Sequence, residues 1–216
     1  MPLLEKKIFK QKNGFRKKPT KGYAGFMETA FWKKVFDEEA GFVADYLRGC
    51  RNILDIGCGA GFLEKRMGKF SISGIDSSRK MIENARRQSN KKFYLGKAEK
   101  LPFSAKRFDG AVFITTLEFL DDFNAAVKEA ARILERKGKF IALILNPESN
   151  YFKQKMRKKL SYVHNIKHTD LNAMKKAAEK YFSVKTGYFL GIEGKKVFDS
   201  RNRWDAALFA IKGIKK

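Results

Sequence analysis

One short stretch, residues 51–67 with the sequence RNILDIGCGAGFLEKRM, constrains the fold more than any other part of the chain. A short apolar run ends at Ile56, and glycines follow at three alternating positions, Gly57, Gly59 and Gly61. A strand that leads into a glycine turn and a helix directs backbone N–H groups and the positive helix end at a ligand. The stretch therefore predicts a strand–turn–helix unit that holds a nucleotide-like ligand.

Short apolar runs and amphipathic runs alternate from residue 52 to residue 145. This pattern predicts five strands, with the sequences NILDI, SISGID, KFYL, FDGAVFIT and KFIALIL. The predicted helices between them are GFLEKRM, SSRKMIENARRQ with Asp76 or Ser77 as its N-cap, and LDDFNAAVKEAARILER, which Arg136, Lys137 and Gly138 close. Strands spaced by helices indicate a parallel sheet that is covered on both faces.

The regions on either side of this alternation have other patterns. Residues 23–48 predict helix, because apolar residues recur at helical spacing. After residue 168 the pattern predicts a helix, TDLNAMKKAAEKYF, and then two strands, SVKTGYFL and DAALFAIKGI, with no helix between them. We expect these two strands to pair antiparallel. A chain of 216 residues is long enough for one domain with a sizeable core, which we place at residues 23–216.

The residues around the glycine turn indicate what kind of ligand it holds. A dinucleotide-binding turn follows the pattern GxGxxG, but Phe62 stands where the third glycine would be. Asp55 precedes the first glycine, where a carboxylate repels a pyrophosphate but orients a cationic amino group. Asp76 ends the second predicted strand, where an acid accepts hydrogen bonds from ribose hydroxyls. Together these residues predict a nucleoside-like, positively charged ligand.

Composition limits the class of protein. No apolar run approaches the ~20 residues of a membrane span, and the N-terminus lacks the apolar core of a signal peptide. We therefore expect a soluble, cytoplasmic protein without a membrane span. Cys50 and Cys58 are too few for a disulfide framework, and nothing pairs with them at metal-ligand spacing, so no metal site is expected.

The charge is strongly unbalanced, with 47 Lys and Arg against 23 Asp and Glu and a net charge of +24. Such a field attracts nucleic acid, anionic membranes or acidic substrates, although a lysine-rich solvated surface gives the same count. Residues 1–22 predict a basic, mobile arm, and residues 147–168 a basic variable segment. Within that segment, residues 151–168 combine six Lys or Arg with aromatic residues and no acids, which suits single-stranded RNA.

Five motifs, in order along the chain, resemble those of one enzyme family: ILDIGCGAG, GID, KAEKLPF, FDGAVFITTLEFL and RILERKGKFIALIL. Over roughly residues 23–215 the chain resembles the class I S-adenosylmethionine-dependent methyltransferases, and among them the group that includes quinone and other metabolite methylases. The resemblance implies a Rossmann-like α/β fold with a seven-stranded, mostly parallel sheet, an antiparallel last strand and helices on both faces. It also implies S-adenosylmethionine as the cofactor.

The resemblance further implies which residues meet the cofactor. Asp55 would lie near the methionyl amino group and Asp76 would hold the ribose. The full implied set is Asp55, Gly57, Cys58, Gly59, Gly61, Asp76, Ser77, Met81, Ala98, Glu99, Ile114 and Thr115. Tyr23, Phe26 and Trp32 are implied as a lid carried by the N-terminal helices at residues 23–48. The chain departs from the family at Lys97, where many relatives have an acceptor for the adenine amine. We expect Lys97 to point to solvent.

No residue is identified by its sequence context as the catalytic base. Methyl transfer from a sulfonium is an in-line displacement, so a base is needed only when the acceptor is protonated. The candidates for such a base are His164, His168 and Glu118. The sequence NPES at residues 146–149 follows the fifth predicted strand rather than the fourth, so we interpret it as a turn and not as a nucleic-acid methylase motif.

Three functions are compatible with these observations. The first is in-line methyl transfer from S-adenosylmethionine to a small-molecule acceptor. The second is methylation of RNA or a ribosomal protein, with the basic arm and residues 151–168 as the contact surface. The third is a non-catalytic cofactor-binding protein with the same fold.

Overall fold

The computed structural model describes residues 29–216, so the predicted arm at residues 1–22 and the predicted lid residues Tyr23 and Phe26 lie outside the described range. Within that range one mixed sheet has eight strands in the order β3-β2-β1-β4-β5-β8-β6-β7. The strands are β1 (Ile53–Ile56), β2 (Ile72–Asp76), β3 (Lys92–Leu95), β4 (Phe108–Ile114), β5 (Leu134–Leu145), β6 (Phe182–Glu193), β7 (Lys196–Phe198) and β8 (Ala206–Lys215).

Helices cover both faces of this sheet. They are α1 (Ala30–Tyr46), α2 (Phe62–Arg66), α3 (Arg79–Gln88), α4 (Phe123–Ile133), α5 (Asn150–Met156) and α6 (Leu171–Glu179), with short 3-10 turns at Leu117–Phe119 and Tyr162–Asn165. One core layer packs α4 and α6 against the sheet through small residues such as Ala126 and Ala177. The opposite layer packs α1, α2 and α5 through residues such as Val43, Leu63 and Phe152.

The direction of the strands confirms the predicted architecture with one correction. Strands β1 to β5 are parallel to one another. Strand β8 lies between β5 and β6 and is antiparallel to both, and its antiparallel pairing with β6 was predicted. The expected number of seven strands is wrong by one. The additional strand β7 forms a hairpin with β6 around Gly194, and its three residues are too few to show a strand pattern in the sequence.

Two predicted helix boundaries are also wrong. The N-cap of α3 is Ser78 rather than Asp76 or Ser77, because Ser78 Oγ accepts from the Met81 N–H at 3.3 Å. Helix α4 ends at Ile133 rather than at Arg136–Gly138, and the following residues join β5. The fully buried Leu134 pairs with Phe108 of β4, so burial of this side chain in the sheet replaces another helical turn.

The predicted turn at residues 146–149 is confirmed, and it ties the end of β5 to neighbouring segments. Asn146 is fully buried, and its side-chain amide donates to the carbonyls of Arg203 and Ala206 at 2.7 and 2.9 Å. Ser149 Oγ then accepts from the Phe152 N–H and so caps α5. Helix α5 therefore begins at a fixed place beside the carboxyl end of β5.

None of the helices at residues 29–216 has the length and apolar character needed to cross a membrane.

Candidate functional site

The glycine turn lies at the carboxyl end of β1 and is tied to β2 by backbone hydrogen bonds. The N–H groups of Gly57 and Cys58 both donate to the Ile75 carbonyl, at 2.8 and 3.1 Å. The Gly61 N–H donates to the Cys58 carbonyl at 3.1 Å and closes the turn before α2 begins at Phe62. All three glycines have positive φ angles, of 80°, 53° and 76° in chain order. The turn therefore depends on backbone angles that other residues rarely adopt.

The three glycines differ in what surrounds them. A Cβ atom at Gly57 would stand 2.5 Å from Thr116 Oγ1, and one at Gly61 would stand 2.9 Å from the Cβ of Ala85. A Cβ atom at Gly59 would have nothing within 4 Å among the described residues. Gly57 and Gly61 are thus required for packing, whereas Gly59 is open on the side where a ligand can approach the backbone.

Asp76 holds the open part of the turn in place. One of its carboxylate oxygens accepts from the Gly59 N–H at 3.0 Å, and the other accepts from the Ser78 N–H at 2.8 Å. Burial raises the pKa of Asp76, and these two N–H groups oppose that effect. Each carboxylate oxygen offers two lone pairs, so one acceptor position on each oxygen is left for a ligand.

Asp55 lies at the centre of a buried acidic group. Its side chain is 3% exposed, and its Oδ1 atom has no hydrogen-bond partner among residues 29–216. Burial, followed by the negative charge of Asp76, raises the pKa of Asp55 to about 8. Burial likewise raises the pKa of Glu39 on α1 to about 8, with Arg66 opposing and Asp55 adding to the shift. An unpartnered carboxyl in such surroundings is suited to a cationic group.

The carboxyl end of β4 supplies the next part of the site. Asp55 pairs with Val112 in the β1–β4 register, so Ile114 and Thr115 lie level with the glycine turn. Thr115 has a φ angle of 44°, which is rare for a β-branched residue, and its N–H donates to the Leu143 carbonyl at 2.7 Å. The Thr116 hydroxyl donates to the Ile114 carbonyl at 2.9 Å, and its side chain covers Gly57. Strained backbone of this kind is concentrated at functional sites.

The remaining predicted cofactor residues surround the carboxyl end of β2. The Gly96 N–H donates to the Asp76 carbonyl at 3.0 Å, which brings the 96–99 loop beside β2. Within this region Met81 and Ala98 are buried, Glu99 is half-buried and Ser77 is exposed. Cys58 is buried, and its Sγ atom contacts its neighbour's carbonyl in the turn. Lys97 is exposed, as the sequence predicted.

Glu118 is buried where β4 and β5 end side by side. Its Oε1 atom accepts from the Leu145 N–H at 2.9 Å, and its Oε2 atom has no partner among the described residues. Burial raises the pKa of Glu118 to about 7, although the Leu145 N–H opposes the shift. The hydroxyls of Tyr151 and Tyr162 lie 3.3 Å apart, and the charge of Glu118 contributes to the raised pKa of Tyr162. A carboxyl with a pKa near neutral pH thus lies beside the phenols of buried Tyr151 and half-buried Tyr162.

Each of the two histidines forms a hydrogen bond with a backbone carbonyl. His164 Nε2 lies 3.0 Å from the Lys158 carbonyl, and His168 Nε2 lies 3.0 Å from the Leu120 carbonyl. A carbonyl oxygen only accepts, so both Nε2 atoms donate. The ring of His168 also packs edge-on against Phe123. These contacts support structural roles for His164 and His168 and leave Glu118 as the candidate for a base.

Trp32, the predicted lid residue within the described range, is part of an aromatic stack. Its ring stacks on Phe36 with centroids 5.8 Å apart, and Phe36 stacks on Phe62 at 4.6 Å. The stack connects α1 to the first residue of α2, directly after the glycine turn. Trp32 therefore supports the turn from the side of α1.

No sequence pattern predicted several buried or half-buried polar residues near the site. These are the buried Glu39, Glu64, Thr116 and Tyr151 and the half-buried Tyr162. Glu64 is fully buried and neither of its carboxyl oxygens has a partner among residues 29–216, while a Cβ atom at Gly74 would collide with it. The available clue is an acid within an apolar run, as at Glu64 in GFLEKRM, but the same pattern occurs on solvated helices.

Comparison with known proteins matches this site to a family. Residues 54–142, from β1 into β5, match the family described as "Methyltransferase domain". A solved structure from Thermotoga maritima, a "SAM-dependent methyltransferase, possible histamine N-methyltransferase", is 28% identical with a TM-score of 0.71. It covers 84% of this chain, and the match covers 89% of that chain. Residues 54–142 of this chain are therefore similar to a methyltransferase domain, and the fold of the described residues is similar to that of a SAM-dependent methyltransferase.

Curated relatives of the methyltransferase domain include two quinone methylases. The ubiquinone/menaquinone biosynthesis C-methyltransferase UbiE of Rickettsia prowazekii is 34% identical over 107 residues, which are 43% of this chain and 43% of the relative. The demethylmenaquinone methyltransferase of Thermotoga maritima is 33% identical over 100 residues, 44% of each chain. The chain thus matches less than half the length of these curated relatives. The family match at residues 54–142 contains the glycine turn, Asp76 and the end of β4.

Proposed function

We propose that this protein is an S-adenosylmethionine-dependent methyltransferase that acts on a small-molecule acceptor. The observation that carries the proposal is the open backbone at Gly59, set between the buried carboxyls of Asp55 and Asp76. No Lys or Arg makes a hydrogen bond to either carboxyl within the described residues. Two carboxyl groups without a cationic partner suit a cationic nucleoside better than a phosphate-rich one.

The residues of the site fit the parts of such a cofactor. Asp76 has acceptor positions free for the ribose hydroxyls, and the unpartnered Oδ1 of Asp55 is suited to the methionyl ammonium. We assign the glycine turn to close backbone contact, with Gly57, Cys58 and Gly61 holding its shape around Gly59. The residues assigned to the adenine are Ser77, Met81, Ala98 and Glu99, and those assigned to the methionyl part are Ile114 and Thr115.

When bound, S-adenosylmethionine supplies a methyl group on a positively charged sulfur. The chain then has to align the acceptor and exclude water, which are the main contributions a protein makes to such a displacement. We assign Glu118 to the acceptor side of the site, because its free Oε2 lies where β4 and β5 end. An acceptor that carries a proton would give it to this carboxylate, with Tyr151 and Tyr162 as neighbouring hydrogen-bonding groups.

Calorimetry of the full chain with S-adenosylmethionine tests the cofactor part of the proposal. We expect saturable binding, weakened by ~1.5–3 kcal/mol in Asp76→Ala, the range for hydrogen bonds to a charged group. Asp109→Ala is a matched control, since Asp109 also accepts from two backbone N–H groups, of Arg51 and Asn52, but at the start of β4. Unchanged affinity in a folded Asp76→Ala variant would remove Asp76 from the site.

Transfer of a labelled methyl group separates an enzyme from a non-catalytic binding protein. Label in low-mass products after incubation with candidate quinols, phenols and amines supports the small-molecule assignment. Tight cofactor binding without transfer to any acceptor class would favour the non-catalytic alternative. Label in RNA or in ribosomal protein would favour the alternative that the protein methylates one of these macromolecules.

The RNA alternative rests on the basic arm, which lies outside the described residues, and on the aromatic residues of the 151–168 segment, whose burial argues against it. The aromatic residues of the 151–168 segment pack inward, with Tyr151 and Phe152 only 4% and 7% exposed. Rings in such positions cannot stack on the bases of a single strand.

We also propose a cytoplasmic location, for which the support is that Cys50 and Cys58 are both free thiols, as in a reducing compartment.

A further inference from the structure

The basic segment after β5 places the rings of Tyr151 and Phe152 inside the protein and leaves two of its large aliphatic side chains, Met156 and Leu160, exposed among cations. Met156 and Leu160 are 43% and 68% exposed, and nearby Trp204 is 51% exposed. They are three of the five large hydrophobic residues that are exposed at residues 29–216. We refer to Lys153, Met156, Arg157, Lys158, Lys159, Leu160 and Trp204 as the 153–160 surface.

The anion near the cations of the 153–160 surface is Glu148, which is ion-paired with Arg203; the charges of Arg203 and, to a smaller extent, Lys153 help to lower its pKa. None of the four Lys and Arg of this surface forms an ion pair with a carboxylate of the described residues. One of them, Lys158, is close to Lys155, and its charge adds to the effect of burial in lowering the pKa of Lys155. Like charges that lie close together outside ion pairs attract an anion from outside the molecule.

Hydrogen bonds hold the 153–160 surface in one conformation. The Nε2 of His164 donates to the Lys158 carbonyl at 3.0 Å, inside the turn that separates Met156 from Leu160. The Asn150 N–H donates to the Trp204 carbonyl at 2.8 Å, and Lys153 Nζ lies 5.0 Å from the centre of the Trp204 ring. Trp204 is thereby fixed beside the first turn of α5.

We propose that the 153–160 surface binds the face of an anionic lipid membrane. Two exposed aliphatic side chains enclose three consecutive cations in the sequence MRKKL, and an exposed tryptophan lies beside them. Aliphatic residues enter the boundary between headgroups and acyl chains, cations attract anionic headgroups, and tryptophan prefers the interface itself. A nucleic acid would find a single exposed ring on this surface, that of Trp204, because Tyr151 and Phe152 are buried.

The position of this surface gives the contact a consequence. Helix α5 begins at the carboxyl end of β5, the same edge of the sheet that holds the glycine turn and Glu118. A membrane bound there lies next to the side of the domain where we place the methyl acceptor. The proposal itself does not depend on methyl transfer, because lipid binding is measured without cofactor or acceptor.

Sedimentation of the full chain with vesicles tests the proposal. We expect binding to vesicles of phosphatidylcholine with about one-third phosphatidylglycerol and much weaker binding to phosphatidylcholine alone. Met156→Ser with Leu160→Ser should lower the partition coefficient by about tenfold, from the loss of apolar transfer. Ile214→Ser is the matched apolar control, since Ile214 is exposed but pairs with Lys139 at the opposite edge of the sheet.

A charge-matched pair of triple variants separates a local contact from general attraction. Arg157→Glu, Lys158→Glu and Lys159→Glu should abolish vesicle binding, whereas Lys106→Glu, Arg136→Glu and Lys137→Glu, at the amino ends of β4 and β5, should largely retain it. Equal losses in both triple variants would overturn the proposal, as would unchanged binding in the Met156 and Leu160 variant. Tight binding of single-stranded oligouridylate, lost in the first triple variant while vesicles do not bind, would assign the surface to RNA instead. Circular dichroism of each variant establishes that it is folded.

Discussion

At the scale of single residues, the site is defined by acids that the fold has taken out of water. Asp55 and Glu118 each keep a carboxyl oxygen without a partner among the described residues, and both have a raised pKa. Burying a polar group without a partner costs free energy that the rest of the fold must offset. Such groups are therefore the best indication of where a ligand belongs.

The pKa of Glu118 leads to a prediction about the pH dependence of methyl transfer. If Glu118 accepts the proton of the acceptor, kcat/KM should rise with pH through about 7, where its carboxyl ionises. Glu118→Gln keeps the shape and the acceptor for the Leu145 N–H but removes the base. Its rate should fall by roughly 10²–10⁴-fold, the usual contribution of a general base, and lose the step near neutral pH.

Glu148→Gln is the matched control for this measurement, because Glu148 is paired with Arg203 near the surface. Its pH profile should be that of the unmodified chain. A Glu118→Gln enzyme that keeps both its rate and its rise with pH would show that Glu118 only supports the end of β5.

At the residue scale, the sequence predicted those site residues whose position follows from local backbone. Gly59 and Asp76 belong to strand–turn–helix units that are contiguous in the chain, so their proximity follows from the parallel sheet. Glu39 and Tyr162 approach the site from elements far away in the sequence, and their burial depends on how α1 and the 151–168 segment pack. A pattern confined to one element carries no information about such packing.

At the scale of elements, the β1 turn and the β4 end lock together. Thr116 fills the space above Gly57, while the strained Thr115 is anchored to the Leu143 carbonyl of β5. Three neighbouring strands thus set the shape of one turn. The open position at Gly59 is maintained by this packing and needs no ligand to form.

This arrangement predicts different effects for two similar substitutions. Gly57→Ala should destabilise the protein by more than the roughly 1–2 kcal/mol of a left-handed alanine, because its Cβ overlaps Thr116. Gly59→Ala should cost only about that amount, yet weaken cofactor binding, since its methyl group enters open space. Urea unfolding and calorimetry measure the two effects separately.

Thr116→Ala should restore the stability that Gly57→Ala loses. Combined with Gly57→Ala it removes the overlapping atoms, so stability should recover toward that of Thr116→Ala alone. Equal stability of Gly57→Ala and Gly59→Ala would mean that the turn is looser than the packing of Thr116 implies.

Elements themselves were predicted well where the pattern was long and poorly where it was short. The long strands β5, β6 and β8 were all predicted as strands, and the antiparallel pairing of β6 with β8 was predicted correctly. The end of α4 was misplaced because basic residues after Ile133 satisfy the rule for a helix end, although the sheet takes Leu134 instead. Competition between two elements for one residue is decided by tertiary packing, which a linear pattern does not contain.

At the scale of the whole molecule, the buried charged residues are opposite in sign to the net charge of the chain. The chain carries a net charge of +24, yet the buried charged residues of the described range are all acids: Glu39, Asp55, Glu64, Asp76 and Glu118. Burial raises the pKa of Glu39 and Asp55 to about 8 and of Glu118 to about 7. The folded protein therefore holds protons between about pH 5 and pH 8 that the unfolded chain has released.

The sign of this difference predicts lower stability as pH rises. Between about pH 5 and pH 8, each fully shifted carboxyl removes up to about 1.4 kcal/mol of stability per pH unit. Glu39→Gln removes one of these carboxyls, so the free energy of unfolding should fall less steeply with pH, by up to about 1.4 kcal/mol per pH unit. The neighbouring exposed Glu38→Gln is its control and should leave the slope unchanged. Urea titrations across this range give the slopes directly, and equal slopes in both variants would rule out a proton on buried Glu39.

The place of β8 in the sheet has a consequence for how the protein forms. Residues Ala206–Lys215 come last among the described strands but lie in the interior of the sheet, between β5 and β6. During synthesis, β5 and β6 therefore emerge from the ribosome before β8, which pairs with both of them. Until β8 is made, each of the two strands has one edge without a pairing partner. Nascent chains halted before residue 206 would have no central partner for these edges and would be the natural clients of chaperones.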